Sequence, residues 1–471
     1  MNGRRALPIV VVTALLVVVA GAASYLVYIS SRSNGPGPVS SGMAVCPASP
    51  TNQTSGNWTT YHQDNSRAGV EAANSNVGAQ PRWSVPTALD GQVYAEPLVC
   101  GNSVYVATEN DSVYAINATS GTVLWHTSLG TPVPASALPC GDIDPTGITG
   151  TPVIDVAAGT LYAVAFLDSA HPQHVLFGLN VASGSVESQL VVDPAGSIPT
   201  AQQQRGALAL ANGHLYIPYG GLYGDCGQYH GWIVGAPLDG TGALISYQVP
   251  TQREGAIWGT AGMAVATNGT LYVATGNGAS RTTFDYGDSV IELSPNLSEV
   301  SYFAPTNWAQ LNADDTDLGS VAPTLLPNGE IFQIGKAGVG YLLSGSDLGG
   351  IGPGIYSASV CGGGAYGATA HVAFSILVPC TDGLYDLAAT ASNFSLTWHT
   401  SSFDAGSPIV TGDIVWVVDI SNAHLLGFNL STGQQVHSSA LGSADHFISP
   451  AAAPGSLYVA GGSELYAFSL T

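Results

Sequence analysis

The stretch SVYVATENDSVYAINATSGTVLW, residues 103–125, reads as three short strands and two tight turns. Residues 103–108 are β-branched and aromatic, Glu109-Asn110-Asp111 turns the chain, and residues 113–116 resume the same pattern. Asn117 to Gly121 then supplies turn chemistry before Val123-Leu124-Trp125, and Pro97-Leu98-Val99 ahead of the stretch adds a fourth strand.

The unit recurs. A turn glycine followed three residues later by an aromatic or apolar residue appears at Gly159/Tyr162, Gly213/Tyr216, Gly269/Tyr272, Gly329/Phe332, Gly412/Val415 and Gly455/Tyr458, with Tyr105 and Phe374 at equivalent places. Eight units spaced by about 50 residues fit the blade period of a β-propeller. No segment after residue 29 keeps a 3.6-residue apolar period, so helix content should be low. The fold expected is all-β: an eight-bladed propeller of four-stranded antiparallel blades over residues 56–471. The last unit supplies three strands at most. An orphan strand at residues 81–86, whose Trp83 stands where other units carry an outer-strand tryptophan, is expected to complete it and close the ring.

Composition narrows the function. Only 8% of the 471 residues are charged, the formal net charge is −22 and the mean hydropathy is +0.24. One run alone, residues 6–29, is long and apolar enough to span a bilayer, which excludes a polytopic transporter. Arg4 and Arg5 precede it, so residues 1–5 form a cytoplasmic stub and the remainder is extracytoplasmic. A cleaved signal peptide is the competing reading, since Ala20-Gly21-Ala22 offers a cleavage spacing. Residues 30–55, rich in Ser, Gly and Pro, read as a flexible tether. After Arg32 there are six basic residues against 31 acidic ones and no basic cluster, which excludes nucleic-acid binding. All six cysteines follow the apolar run, so disulfides are expected: Cys361 with Cys380, and Cys46, Cys100, Cys140 and Cys226 in one of three pairings.

Residues 115–125 resemble the tryptophan docking repeat, A-x-D-x-x-T-G-x-x-x-W, of the quinoprotein alcohol dehydrogenase-like β-propellers. Residues 178–184 and 427–433 carry weaker copies, with Asn in place of Asp in all three. Residues 147–155, 229–233, 285–289 and 335–338 are also similar to extracytoplasmic PQQ-repeat proteins. The resemblance implies the propeller fold, and it implies PQQ and calcium as cofactors if the chain is a dehydrogenase. The vicinal cysteine pair of many such enzymes is absent from this sequence.

Several residues stand out as site candidates. Arg205, Trp258 and Lys336 are rare cations and an aromatic placed to reach the mouth of the central channel. His230 and Trp232 lie in a Gly-rich loop, where Trp232 offers a face for a sugar or aromatic ring. Asp285 with Asp288, and Asp314 with Asp315 and Asp317, are the densest carboxylate groups and the calcium candidates, although neither has EF-hand spacing. Asn52 and Asn57 are the glycosylation candidates beside the tether. The functional expectation is a membrane-anchored binding or scaffold module at the cell surface, with a protein or carbohydrate partner on one propeller face. A PQQ-dependent oxidoreductase of alcohols or sugars and an envelope assembly factor are the alternatives. Few structural carboxylates also suggest an acidic external milieu.

Overall fold

Ser103–Thr108 is buried along its whole length, because successive side chains of this strand enter two different cores. Val104 and Val106 point toward one neighbouring sheet, and Tyr105 and Ala107 toward the other. Burial on both faces explains why the strands read as continuous apolar runs. The same arrangement repeats in eight sheets in this computed structural model, which describes residues 44, 46, 56–71, 79–83, 87–238, 240, 242–400 and 402–470.

Each blade has four antiparallel strands running outward from the channel, in chain order in blades 1 to 7, and short strands at residues 202–203, 350–352 and 70–71 extend the sheets of blades 3, 4 and 7. Blade 1 comprises Leu98–Cys100, Ser103–Thr108, Ser112–Asn117 and Val123–Ser128. Blades 2 to 7 span residues 153–191, 209–248, 264–305, 324–359, 370–399 and 409–440. Blade 8 has Ala451–Ala453, Ser456–Gly461 and Glu464–Leu470, and Ala79–Pro81 pairs antiparallel with the last of these. Thr87–Ala88 pairs with the same strand at its other end. The N-terminal pairing thus lies at residues 79–81 and 87–88, flanking the expected 81–86, of which residues 84–86 lie outside the described set. Each interface between consecutive blades has its own apolar cluster, the two flanking blade 8 being continuous.

Two sequence readings need correction. Phe374 sits in the turn before Ser375–Cys380, 39% exposed, and Leu377, opposite Ala370 as Tyr105 is opposite Leu98, holds the repeat position. The carboxylate-rich run at 312–317 is partly helical: Trp308–Asp314 is the one α-helix among the described residues. The expected membrane span at 6–29 lies outside the described residues, and no described helix is long and apolar enough to cross a membrane.

The docking repeats do their expected work without their acids. Asn117 Oδ1 accepts from the backbone N–H groups of Thr119 and Ser120, and Asn180 and Asn429 cap their turns in the same way. The glycine that ends each turn lets a tryptophan from the preceding blade lie on the backbone. Trp125 covers Gly184 and donates to the Val181 carbonyl at 3.0 Å, and Trp398 covers Gly433 and donates to Leu430 at 2.9 Å. Trp83, following Ala79–Pro81, covers Gly121 and donates to Thr119 at 3.2 Å, the same contact made by the N-terminal segment. Each such tryptophan, burying roughly 200 Å², is worth at most about 5 kcal/mol.

Residues 56–71 cross the channel and use the free inner edges of the blades. Trp58 exchanges backbone hydrogen bonds with Val99 of blade 1, Thr59 accepts from Ile154 of blade 2, and Asn65 bonds Leu210 and Val265 of blades 3 and 4. Ala68 and Gly69 accept from His371 and Val410 of blades 6 and 7, and His62 Nε2 lies 3.2 Å from Ser449 Oγ beside blade 8. Tyr61 packs on Ala207, Ala261, Ala322 and Ala368, a ring of small residues that leaves room for it. Arg67, 1% exposed, donates to the carbonyls of Met263, Tyr61 and Leu208 and to Thr60 Oγ1. Glu96 accepts from Trp58 Nε1 at 2.7 Å and from the His62 N–H at 2.9 Å. The channel is therefore blocked at this level.

Three disulfides join Cys46 to Cys100, Cys140 to Cys226 and Cys361 to Cys380. The last is the expected local pair, and the others select one of the three pairings left open.

Candidate ligand site at the channel mouth

Antiparallel order in each blade sends the turn between the second and third strands, and the crossing to the next blade, to one face. Five crossings end in a proline just before the inner strand, a position that needs no backbone donor. The residue three places earlier is Tyr94, Thr149, Ser320, Ala405 or Phe447. Arg205 and Tyr366 hold the same place in crossings without the proline.

Arg205, Tyr366 and Tyr94 meet around Phe447, directly or through His446. The Arg205 guanidinium lies 4.5 Å over the Phe447 ring, Tyr366 stacks on that ring at 5.6 Å and 9°, and Trp258 approaches to 5.9 Å. His446 is edge-on to Phe447 at 4.7 Å and meets Tyr94 at 5.2 Å. Arg205 is 9% exposed, its Nε has no partner, and it forms no ion pair among the described residues. Burial lowers its pKa, against the pull of Asp142, Tyr94 and Glu109. Burial likewise lowers His446, to about 4, with Arg205 adding to the effect.

Lys336 stands on the other side of Trp258, 5.7 Å from its ring, and is committed. Its Nζ lies 2.9 Å from both Asp315 Oδ1 and Asp317 Oδ2. Burial works to lower its pKa, but the two carboxylates overcome this and hold it above the ordinary value. Burial raises Asp317 despite the ammonium beside it, and burial together with Asp317 raises Asp288 well above the carboxylate range.

Contacts through Phe447 and Trp258 link Arg205 to Lys336. The sequence reading singled out Arg205, Trp258 and Lys336, while Phe447, Tyr366, Tyr94 and His446 were not among its candidates. The proline-terminated crossings were the signal available for Phe447 and Tyr94. Trp232 is 7% exposed and packs in the core between blades 2 and 3, with His230 edge-on at 6.3 Å, so its ring faces apolar neighbours.

The carboxylates considered for calcium tie loops together. Asp285 accepts from Thr251 Oγ1 and the Ser280 N–H, Asp288 from the Leu318 N–H, and Asp314 from Gln310 Nε2. Among the described residues, three ligand atoms of His, Cys, Asp or Glu converge within 4.8 Å only at Cys361, Cys380 and Asp382, whose two sulfurs are bonded to each other. Asn57 Oδ1 accepts from the Gly101 N–H at 3.1 Å, and Asn52 lies outside the described residues.

Residues 72–218 match the family model described as outer membrane protein assembly factor BamB. No curated protein sequence matches the chain. Among solved structures, quinohemoprotein alcohol dehydrogenase ADHIIG from Pseudomonas putida HK5 is similar at 13% identity and a TM-score of 0.70, over 91% of this chain and 83% of that one. A europium-containing methanol dehydrogenase matches at 14% identity and 0.67, over 89% and 99% of the two chains. BamB from Moraxella catarrhalis matches at 12% identity and 0.57, over 83% and 100%. At these identities the likeness shows the fold alone, which this chain shares with them.

Proposed function

We propose that this chain is an extracytoplasmic binding module, anchored by residues 6–29, whose ring is fastened by its N-terminal strand and whose channel mouth takes a small, flat anionic ligand. The observation that carries this is Arg205. A guanidinium this buried, stacked on an aromatic ring and lacking a carboxylate partner, is costly unless an anion completes it. Phe447, Tyr366 and Trp258 offer apolar faces to the body of such a ligand, and the block by residues 56–71 makes the mouth its one route in and out.

PQQ, a planar quinone bearing three carboxylates, fits the chemistry of Arg205 and the aromatic faces, and when bound it supplies a two-electron acceptor. Asp315 and Asp317, the carboxylates beside Trp258, are engaged with Lys336 and not open to a divalent cation. The oxidoreductase remains the second reading, favoured by the fold likeness and by the Lys336–Asp317 pair beside Trp258. An envelope assembly role, suggested by the match at residues 72–218, predicts a protein partner recoverable by crosslinking.

The test is tryptophan fluorescence of the full-length protein titrated with aromatic carboxylates and their neutral amides. Saturable quenching by the acids alone, weakened at least tenfold by Arg205→Gln, is expected; equal response to acid and amide would refute the reading. Sustained dye reduction after adding PQQ and calcium would make the protein a dehydrogenase.

A further inference from the structure

Glu109 and Asp111 flank the turn between the second and third strands of blade 1, and both are buried, at 1% and 0% exposure. Glu109 Oε2 accepts from the Gly147 N–H at 2.7 Å. Glu109 Oε1 and both Asp111 carboxylate oxygens have no hydrogen-bond partner. Two neutral oxygens nearby are in the same condition: Thr149 Oγ1, 3% exposed, and Gln204 Oε1, 5% exposed. Gln204 Nε2 is spent on the Gly206 carbonyl at 2.6 Å.

The run 147–150 is the common wall of all four side chains. A Cβ on Gly147 would lie 2.8 Å from Asp111 Oδ1, and one on Gly150 would lie 2.5 Å from Gln204 Oε1. Thr149 stands between them, close enough to Glu109 to hold its carboxyl down against the burial that lifts it to about 7. Burial, with Glu109 beside it, lifts Asp111 to about 9. Five buried oxygens from four side chains face this wall, carrying two formal negative charges, and the donors near them are few: the Thr149 hydroxyl beside Glu109 and the Phe166 backbone beside Asp111. Arg205 and Asp445 are the other charges acting on Glu109, and Arg205 forms no ion pair with it among the described residues.

Burial of unpaired acceptors is strongly unfavourable, and two groups bring the balance back: protons or a hard cation. The Thr149 hydroxyl can donate to one oxygen only, and the Gln204 amide oxygen, whose own Nε2 is spent on Gly206, has no donor, so a cation that takes all these oxygens at once is favoured. Calcium takes six to eight oxygens from carboxylates, amides and hydroxyls, with tolerant geometry. We propose that Glu109, Asp111, Thr149 and Gln204 form a calcium site that cross-links blade 1 to the crossings entering blades 2 and 3. It is separate from the Asp285–Asp317 carboxylates and lies beside Arg205, so the ion would stiffen that wall of the mouth.

The test uses the full-length protein stripped with chelator at pH 7.5 and titrated with calcium by calorimetry and thermal melting. One site is expected, with a Tm rise of about 3 °C at calcium a hundredfold above its Kd. Asp111→Asn and Glu109→Gln should each weaken binding at least tenfold, and Asp315→Asn should leave it unchanged. Thr149→Val, which keeps the shape, should weaken it severalfold and covers the case of a carboxylate variant that does not fold. No calcium response in the wild type, or one that survives Thr149→Val and Glu109→Gln unaltered, overturns the site. A Tm unmoved by calcium, with a rise on acidification that Asp111→Asn and Glu109→Gln diminish, assigns the oxygens to shared protons instead.

Discussion

Arg67→Met tests whether residues 56–71 hold the ring from within. Methionine matches the volume of the arginine stem but cannot donate. The Met263, Tyr61 and Leu208 carbonyls, now served at 2.8, 3.0 and 3.3 Å, would be left buried without a partner. Thr60 Oγ1, served at 2.9 Å, can turn its own hydrogen toward another acceptor. Each stranded carbonyl costs about 1–3 kcal/mol, and removal of a buried charge returns part of its desolvation, so the net loss should be about 3–5 kcal/mol. Burial lowers Arg67 to about 10, so the charge is present at neutral pH. Unfolding entropy of about 2.1 cal/mol/K per residue over roughly 400 ordered residues converts this to a Tm lower by about 4–6 °C. Arg82→Met is the control: Arg82 donates to Ser469 and Gly455 at 3.2 Å from a half-buried position, and its loss should shift Tm by about 1 °C or less. Scanning fluorimetry and urea midpoints read both. Equal melting of the two variants would refute the reasoning.

Three further outcomes follow from the same geometry. Gly433→Ala places a Cβ 2.6 Å from Trp398 at φ +67°, and should cost about 2–4 kcal/mol in urea unfolding, whereas Gly455→Ala, at φ +70° with open space around it, should cost about 1 kcal/mol. Opening Cys361–Cys380, 19 residues apart, should lower stability by about 3 kcal/mol, and opening Cys140–Cys226, 86 apart, by about 4–5 kcal/mol; reduced and oxidised protein compared by melting decides. Burial raises the Glu96, Asp386, Asp404 and Asp445 carboxyls, so the native state keeps protons that the unfolded chain releases above about pH 4–5. That contribution is lost as pH rises through the folded pKa values, while His62, lowered to about 3, withdraws stability only as pH falls below about 6.5. The carboxyl contribution to Tm at constant ionic strength should therefore be fully present at about pH 4 and be lost as the pH rises, and a Tm that rises from pH 6.5 to 8.5, where His62 no longer acts, would refute it.

Legibility in the sequence followed periodicity. Blade count, strand order and docking tryptophans depend on spacing that repeats eight times, and Trp83 could be recognised as an outer-strand residue because it copies Trp125 and Trp398. Phe374 misled because the glycine offset was missing and an aromatic happened to sit one turn early. Residues 56–71 were illegible for the opposite reason: they occur once, they lack strand alternation, and their partners lie on six inner strands at once. Arg67 was the available hint, a cation in a chain with very few. At the mouth, rarity of charge pointed to Arg205 and Lys336, but only the crossing geometry tells that one is paired and the other is not.

The contacts of residues 56–71 also set the order in which the molecule can be built. His62 waits for Ser449, 387 residues later, and Ala79 for Leu470. A chain made from its N-terminus therefore carries Trp58, Tyr61 and an unpaired strand edge without a home until blade 8 exists, and the ring completes in one late step of very long sequence separation. Early blades can form pairwise in the meantime, so a truncation inside blade 8 should yield a nascent arc with exposed aromatic residues, a species prone to associate with its own kind before it can close.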